Sequence, residues 1–216
     1  MNRNVLLGVA FLSLASLSTA GPRGTVPKTS ADRYAAHAEH DGTKIGAFLM
    51  SPNEVRKVFG FDVDRSCLVV EVSLYPPNDK ERKVSLSDFS LRVAGASTAV
   101  KPSTPTAVAA KWQQLFRVQR DVKVEYVADV DVGPNGVHVG AHVGVETDYG
   151  PPHSASEADR ATVEAELTDK GLPEGKASSP VAGYLYFPIL SRKKHTALQL
   201  NYETSGSRTI LQLSQN

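Results

Sequence analysis

The stretch Ser66 to Tyr75 (SCLVVEVSLY) decides the fold, because its residues alternate with the period of a β-strand. One face of this strand is purely aliphatic: Leu68, Val70, Val72 and Leu74. The opposite face is mixed: Val69, Glu71, Ser73 and Tyr75. The pattern predicts a strand that places one face in a hydrophobic core.

The same alternation recurs along the chain, separated by Gly- and Pro-rich turns. A polar loop joins the first strand to Phe89–Val93, which predicts an antiparallel pair. Residues 121–132 and 137–145 alternate on either side of Gly133-Pro134-Asn135-Gly136 and predict a long hairpin. Three more strands are predicted within 181–189, 197–202 and 209–213.

Three segments have helical rather than strand periodicity. Ser51-Pro52-Asn53-Glu54 is a helix-start signature, with Ser at the N-cap and Glu three residues later. Residues 106–117 place Val108, Trp112 and Phe116 on one face. Residues 156–170 have acidic residues in their first turn and Gly171 just past their end.

Many short strands without regular βα alternation predict a mainly β protein, an antiparallel sandwich with two or three inserted helices. The expected organisation is a flexible segment at 21–44 and one domain at 45–216. A helix–hairpin–helix insertion is expected at about 106–176.

The first twenty residues predict a cleavable signal peptide. Arg3 precedes the apolar run Val5–Leu17, and small residues lead to a predicted cleavage between Ala20 and Gly21. The run is shorter than the ~20 residues of a membrane-spanning helix. We therefore expect a secreted or periplasmic bacterial protein without a transmembrane anchor after signal removal.

The charge balance and the cysteine content bear on nucleic-acid binding and on disulfide bonds. The chain has 24 Lys and Arg residues against 23 Asp and Glu, a balance that predicts no nucleic-acid partner. Cys67 is the only cysteine, so an intrachain disulfide is excluded. Its apolar neighbours favour a buried thiol over an intermolecular bridge.

Two sets of motifs carry a resemblance. The strand–loop–strand unit around Asp88-Phe89 and the closing blocks with Gly183 and Phe187 resemble secreted bacterial immunoglobulin-like domains. The Ser51-Pro52-Asn53-Glu54 start, Leu172-Pro173-Glu174-Gly175 and PVAGYLYFP (180–188) resemble a group of exported bacterial proteins of unassigned activity. The resemblance implies an immunoglobulin-like sandwich and export, and it implies no reaction.

Two histidines of the predicted hairpin are the first candidates for metal ligands. His138 and His142 are four residues apart in a strand, about 13 Å, which is too far for one ion with zinc–nitrogen bonds of about 2 Å. A site using them needs other residues brought in by the fold, for which His153 and Asp148 are the candidates. The alternative is a solvated polar face.

A second candidate surface lies near the C-terminus. Tyr184 and Tyr186 share one strand face, and Arg192, Lys193 and Lys194 form a basic loop after it. Together they are candidate ligand-binding residues for a protein or a cell-envelope polymer. The alternatives are tyrosines packed beneath the 156–170 helix and a solvated loop.

No motif of nucleophilic catalysis or phosphate binding is present in the sequence. The expected function is therefore an exported, non-enzymatic binding or envelope-associated structural module with no cofactor. A metal-binding protein is the alternative, and a hydrolase of cell-wall polymer ranks last.

Overall fold

A computed structural model describes residues 23–77, 80–118, 123–133, 136–146, 155–190 and 197–214; for 117–118, 123–133 and 136–146 it describes the backbone alone. The signal segment lies outside these ranges. The α-helices are α1 (Pro52–Val58), α2 (Pro105–Val118) and α3 (Glu157–Lys170). The strands are β1 (Ala36–His40), β2 (Thr43–Leu49), β3 (Leu68–Tyr75), β4 (Arg82–Val84), β5 (Phe89–Val93), β6 (Lys123–Gly133), β7 (Gly136–Glu146), β8 (Gly175–Ala177), β9 (Val181–Phe187), β10 (Leu198–Thr204) and β11 (Ser207–Leu213).

The described strands form four antiparallel sheets. The main sheet has the order β1-β2-β3-β9, and a smaller sheet has the order β11-β10-β5. The predicted pairing of the Ser66–Tyr75 strand with Phe89–Val93 is therefore wrong, because β3 pairs with β2 and β9 while β5 pairs with β10. Two-stranded sheets are formed by β4 with β8 and by β6 with β7. The expectation of a mainly β protein with antiparallel sheets and up to three helices is confirmed.

The main sheet and the smaller sheet share one hydrophobic core, which we call the sandwich core. The main sheet contributes side chains such as Ile45, Val72 and Phe187, and the smaller sheet contributes Leu91 and Leu200. All five are fully or almost fully buried. Burial of a Val, Leu, Ile or Phe side chain contributes about 1.5–3 kcal/mol, so this core is a principal source of stability.

A second cluster, the helix-side core, lies on the opposite face of the main sheet. Val55 of α1, Trp112 of α2 and Leu167 of α3 pack there with Val69 of β3. The predicted alternation in β3 is thereby confirmed: Val70, Val72 and Leu74 enter the sandwich core, while Val69 faces the helices. The main sheet is buried on both faces over this region.

The predicted helix start at Ser51 is confirmed, and a second capping box stands at the start of α3. Ser51 and Glu54 form a reciprocal capping box at the start of α1, and Ser156 forms one with Asp159 at the start of α3. Each box satisfies backbone amides that have no partner inside the helix. The stripe Val163 and Leu167 of α3 is fully buried in the helix-side core.

The N-terminal segment differs from its prediction. Residues 21–44 were expected to be flexible, yet β1 pairs with β2 along its whole length. The ring of Tyr34 lies directly on Gly46, where a Cβ atom would come within 2.3 Å of the ring. β1 and β2 form a tight hairpin that turns at Asp41-Gly42, both with positive φ, and this local turn signal was overlooked in the sequence.

The edge strand β9 is where the helical layer joins the main sheet. After α3 on the helix side, the chain passes the β9 edge at Gly171 and places Leu172 in the sandwich core. A Cβ atom on Gly183 would lie 2.4 Å from the Leu172 Cα and 2.6 Å from the Gly171 carbonyl oxygen. Glycine at position 183 therefore permits the close passage of this segment.

The region 106–176 has the predicted element order of a helix, a hairpin and a helix. β6 and β7 pair over eleven positions, from Lys123 opposite Glu146 to Gly133 opposite Gly136. α2 and α3 contact each other through the hydroxyl of Thr106, which donates to Glu164 at 2.6 Å. Within the described ranges, no helix has the length and apolarity needed to cross a membrane.

We predict that Gly183→Ala lowers the free energy of unfolding by about 1–3 kcal/mol, because the added methyl overlaps the backbone of residues 171–172. Gly60→Ala is the matched control, since its nearest neighbour would be a flexible Glu166 oxygen at 3.7 Å. Chemical denaturation measures both. Equal midpoints for the two variants would contradict the close passage at Gly183.

We predict that the Cys67 thiol does not react with thiol reagents while the protein is folded. Its side chain is buried in the helix-side core, and burial raises the pKa of its thiol to about 12. At pH 8 its thiolate fraction is then roughly three orders of magnitude below that of an exposed cysteine. A thiol reagent should label Cys67 only on unfolding, whereas the exposed control cysteine of Ser97→Cys in a Cys67→Ala background should react at once.

Candidate functional site in the cleft beside the edge strand β9

The outer edge of β9 is closed by three separate segments of the chain. The carbonyls of Ala182, Tyr184 and Tyr186 accept hydrogen bonds from the backbone amides of Thr25, Leu172 and Ser103 at 2.8, 3.1 and 2.6 Å, respectively. An exposed edge strand normally offers these groups to another chain. Here they are satisfied internally, so a partner strand cannot add to β9 at these positions.

A cleft opens between two of these closing segments. Its volume is about 180 Å³. Most of its exposed lining is apolar, with Tyr184, Leu185 and Tyr186 from β9 and Leu172 from the segment after α3. The remaining lining residues are Leu86, Pro102, Ser103, Pro105, Thr168, Gly171 and Glu174.

The two tyrosines are fixed by the helix-side core. The ring of Phe59 lies 5.4 Å from the Tyr184 ring and 6.2 Å from the Tyr186 ring, measured between centroids. The Tyr186 hydroxyl donates to the carbonyl of Leu167 at 2.8 Å. This carbonyl lies in the last turn of α3, where helices leave carbonyls without an internal partner. The packing beneath α3 weighed from the sequence is present, and both residues also line the cleft.

Burial sets the protonation state of these phenols. It raises the pKa of Tyr184 to about 12, and it raises the pKa of Tyr186 as well. Both therefore remain neutral hydroxyls at physiological pH. These two lining residues of the cleft therefore carry no charge.

Glu174 places a carboxylate at the rim of the cleft, and two hydrogen bonds hold it in position. One oxygen of the Glu174 carboxylate accepts hydrogen bonds from the Leu86 amide at 2.8 Å and from the Ser85 hydroxyl at 3.1 Å. Glu174 belongs to the Leu172–Gly175 motif, which therefore provides both a wall of the cleft and its acidic rim. The sequence resemblance singled out this motif and PVAGYLYFP without showing that they are adjacent in space.

A polar cluster on the same sheet face was missed from the sequence. The hydroxyl of Tyr34 forms hydrogen bonds with Ser73 and, at 3.4 Å, with Glu71. The Lys28 ammonium lies 4.3 Å from the centroid of the Tyr34 ring. Burial raises the pKa of Glu71, while Lys28 and the Tyr34 hydrogen bond act in the opposite direction. The alternating pattern of β3 indicated the polar face but not its partners.

His40 is a second polar residue whose role the sequence did not show. Its ring is buried and bonds to the hydroxyls of Thr209 and Thr204, both at 2.8 Å, and of Ser207 at 3.1 Å. These residues belong to the β10–β11 hairpin, so His40 joins the two sheets. The carboxylate of Asp41 lies 3.6 Å from the same ring nitrogen as Ser207. A Ser-His-Asp catalytic triad needs the acid at the other nitrogen, and here that nitrogen faces Thr209.

The other predicted site residues are only partly covered by the structure. Arg192, Lys193, Lys194, Asp148 and His153 lie outside the described residues. His138 and His142 lie in β7, opposite Asp131 and Val127, respectively. Among the side chains that the structure does describe, no group of three His, Cys, Asp or Glu residues comes together as a metal site.

Comparison with known proteins identifies no relative of this chain. The chain matches no protein-family model, no curated protein and no solved structure. The resemblance to exported immunoglobulin-like proteins therefore stays a prediction.

We predict that Tyr186→Phe lowers the free energy of unfolding by about 1–3 kcal/mol, because the buried Leu167 carbonyl loses the donor hydroxyl. Tyr184→Phe is the matched control in the same strand and core; no hydrogen bond of its hydroxyl is present among the described residues. Thermal or urea unfolding compares the two variants. A larger loss for Tyr184→Phe than for Tyr186→Phe would contradict this role.

Proposed function

We propose that this protein is an exported, non-enzymatic binding module that holds one apolar side chain of a protein partner in the cleft beside β9. The volume and lining of this cleft carry the proposal. A dry apolar cavity of about 150 Å³ accommodates a benzene molecule, so about 180 Å³ suits a single aromatic or aliphatic side chain. Cavities that bury a whole drug-sized ligand are larger, about 300–1,000 Å³.

The rigidity of the cleft supports a binding role. Its walls are the backbone-anchored strand β9, the hydrogen-bonded Ser103 segment and the Leu172 segment that passes Gly183. A preorganised site loses little conformational entropy when it is filled. The neutral phenols of Tyr184 and Tyr186 favour an uncharged side chain over a charged one.

The setting of this module is also part of the proposal. The N-terminal apolar run favours export to the periplasm or the extracellular space. The two sheets with a common core, together with the Asp88-Phe89 and Gly183–Phe187 motifs, support assignment to the immunoglobulin-like sandwiches. Such domains act in binding or in envelope structure, in keeping with a partner that is a protein of the same compartment.

We predict that small aromatic probes (phenol, indole and benzyl alcohol) perturb the backbone amide signals of Ser103, Leu172 and residues 184–186. Ser103→Leu should abolish the effect by filling the cleft, while its own amide can still donate to Tyr186. Ser97→Leu, on an exposed turn, is the control and should behave as the wild type. Titration by heteronuclear NMR measures the shifts.

Two outcomes would contradict the proposal. One is the absence of any probe-dependent shift at residues 184–186 at millimolar concentration. The other is an effect of equal size in Ser103→Leu and Ser97→Leu, because the probe would then bind elsewhere.

A further inference from the structure

Glu174 is the only charged residue among the described residues that line the cleft beside β9. The other lining residues are leucines, prolines, tyrosines, one glycine, Ser103 and Thr168. Glu174 itself is exposed to solvent. A ligand in the cleft therefore meets one negative charge at the rim and, among the described lining residues, no positive charge.

The two oxygens of this carboxylate have different surroundings. Oε1 accepts hydrogen bonds from the Leu86 amide at 2.8 Å and from the Ser85 hydroxyl at 3.1 Å. Within the described ranges, Oε2 has no hydrogen-bond donor, and no Lys or Arg forms an ion pair with Glu174. Because the bonds to Oε1 already restrict the side chain, Oε2 can pair with a bound cation at little further cost in conformational entropy.

The lysines near this rim interact with other groups. The Lys101 ammonium donates to the carbonyl of Ser87 at 2.6 Å. Burial raises the pKa of Asp88, and the charge of Glu174 acts in the same direction. The positive charges of Lys101 and Lys83 act against this rise. Both lysines therefore offset the charge of Asp88, and neither forms an ion pair with Glu174.

The size of the cleft determines where a cationic group of the ligand lies. A volume of about 180 Å³ is filled by one aromatic or aliphatic side chain. A cation on a neighbouring part of the same partner therefore remains outside, at the rim, where Glu174 is exposed. Water still solvates it there, so the pair avoids the desolvation penalty of a buried ion pair.

We propose that the partner segment bound in this cleft carries a Lys or Arg beside its apolar side chain, and that Glu174 pairs with this cation. The inference rests on the proposed function, because it requires the cleft to be a binding site. It assigns local positive charge to the partner segment. Charged groups at the rim of an interface chiefly govern specificity and the association rate, so Glu174 selects between apolar segments of different charge.

Two aromatic probes of equal length test the proposal: phenethylamine, which is cationic at neutral pH, and 2-phenylethanol, which is neutral. Heteronuclear NMR titration at low ionic strength gives a Kd for each probe from the amide shifts of residues 184–186. We expect wild-type protein to bind phenethylamine about two- to fivefold more tightly, the range of an exposed ion pair. Added salt should reduce this ratio.

Glu174→Gln should bring the ratio of the two Kd values close to one, because its amide oxygen can still accept from Leu86 and Ser85 but carries no charge. Glu39→Gln is the matched control, since it removes an exposed carboxylate from β1, the opposite edge strand of the main sheet. Its ratio should equal that of the wild type. Both probes carry the same ring, so the ratio within each variant cancels a change in the shape of the cleft.

The outcomes separate this inference from the proposed function. Equal affinity of the wild type for both probes, a ratio that persists in Glu174→Gln, or an equal fall of the ratio in Glu39→Gln would overturn the inference alone. If neither probe shifts the amides of residues 184–186, the proposed function fails and the inference fails with it.

Discussion

The backbone hydrogen bonds along the outer edge of β9 are the interaction on which the layers of this protein depend. A buried carbonyl without a donor costs free energy comparable to a lost hydrogen bond. The carbonyls of Ala182, Tyr184 and Tyr186 obtain their donors from the N-terminal segment, the segment after α3 and the segment before α2, respectively. Each donor belongs to a piece of chain that then covers one part of the main sheet. The hydrogen bonds that pair the β9 carbonyls thus also hold the N-terminal segment and the segments next to α2 and α3 against the main sheet.

On the opposite side of the protein, side-chain hydrogen bonds join the main sheet to the smaller sheet. There β1 lies beside β11, and the contact is made by one buried imidazole and three hydroxyls rather than by a backbone ladder. Hydroxyl groups both donate and accept, so Thr204, Ser207 and Thr209 can satisfy either tautomer of His40. With Cys67 the only cysteine, no disulfide within the chain contributes to either junction.

Local patterns allowed prediction of individual elements but not of their tertiary partners. The alternation in β3 and the Ser51–Glu54 capping box each depend on residues within one turn or one strand, and both were predicted correctly. Tyr34 was not, because its place on Gly46 depends on a contact that no local period encodes. For the same reason, the sequence predicted only some of the residues that line the cleft. Tyr184 and Tyr186 were singled out, whereas Leu172 and Ser103 reach them only through long-range backbone hydrogen bonds.

The β6–β7 hairpin shows again that local sequence patterns do not predict tertiary partners, in this case those of the candidate metal ligands His138 and His142. Spacing along a strand predicts that His138 and His142 lie too far apart for one ion, since a single strand has a fixed rise. It says nothing of the neighbouring strand, because the cross-strand register depends on where the chain turns. In the structure the register places Asp131 opposite His138 and Val127 opposite His142, and Asp148 and His153 lie outside the described residues. The proposed function likewise rests on long-range information, namely the backbone hydrogen bonds that shape the cleft beside β9.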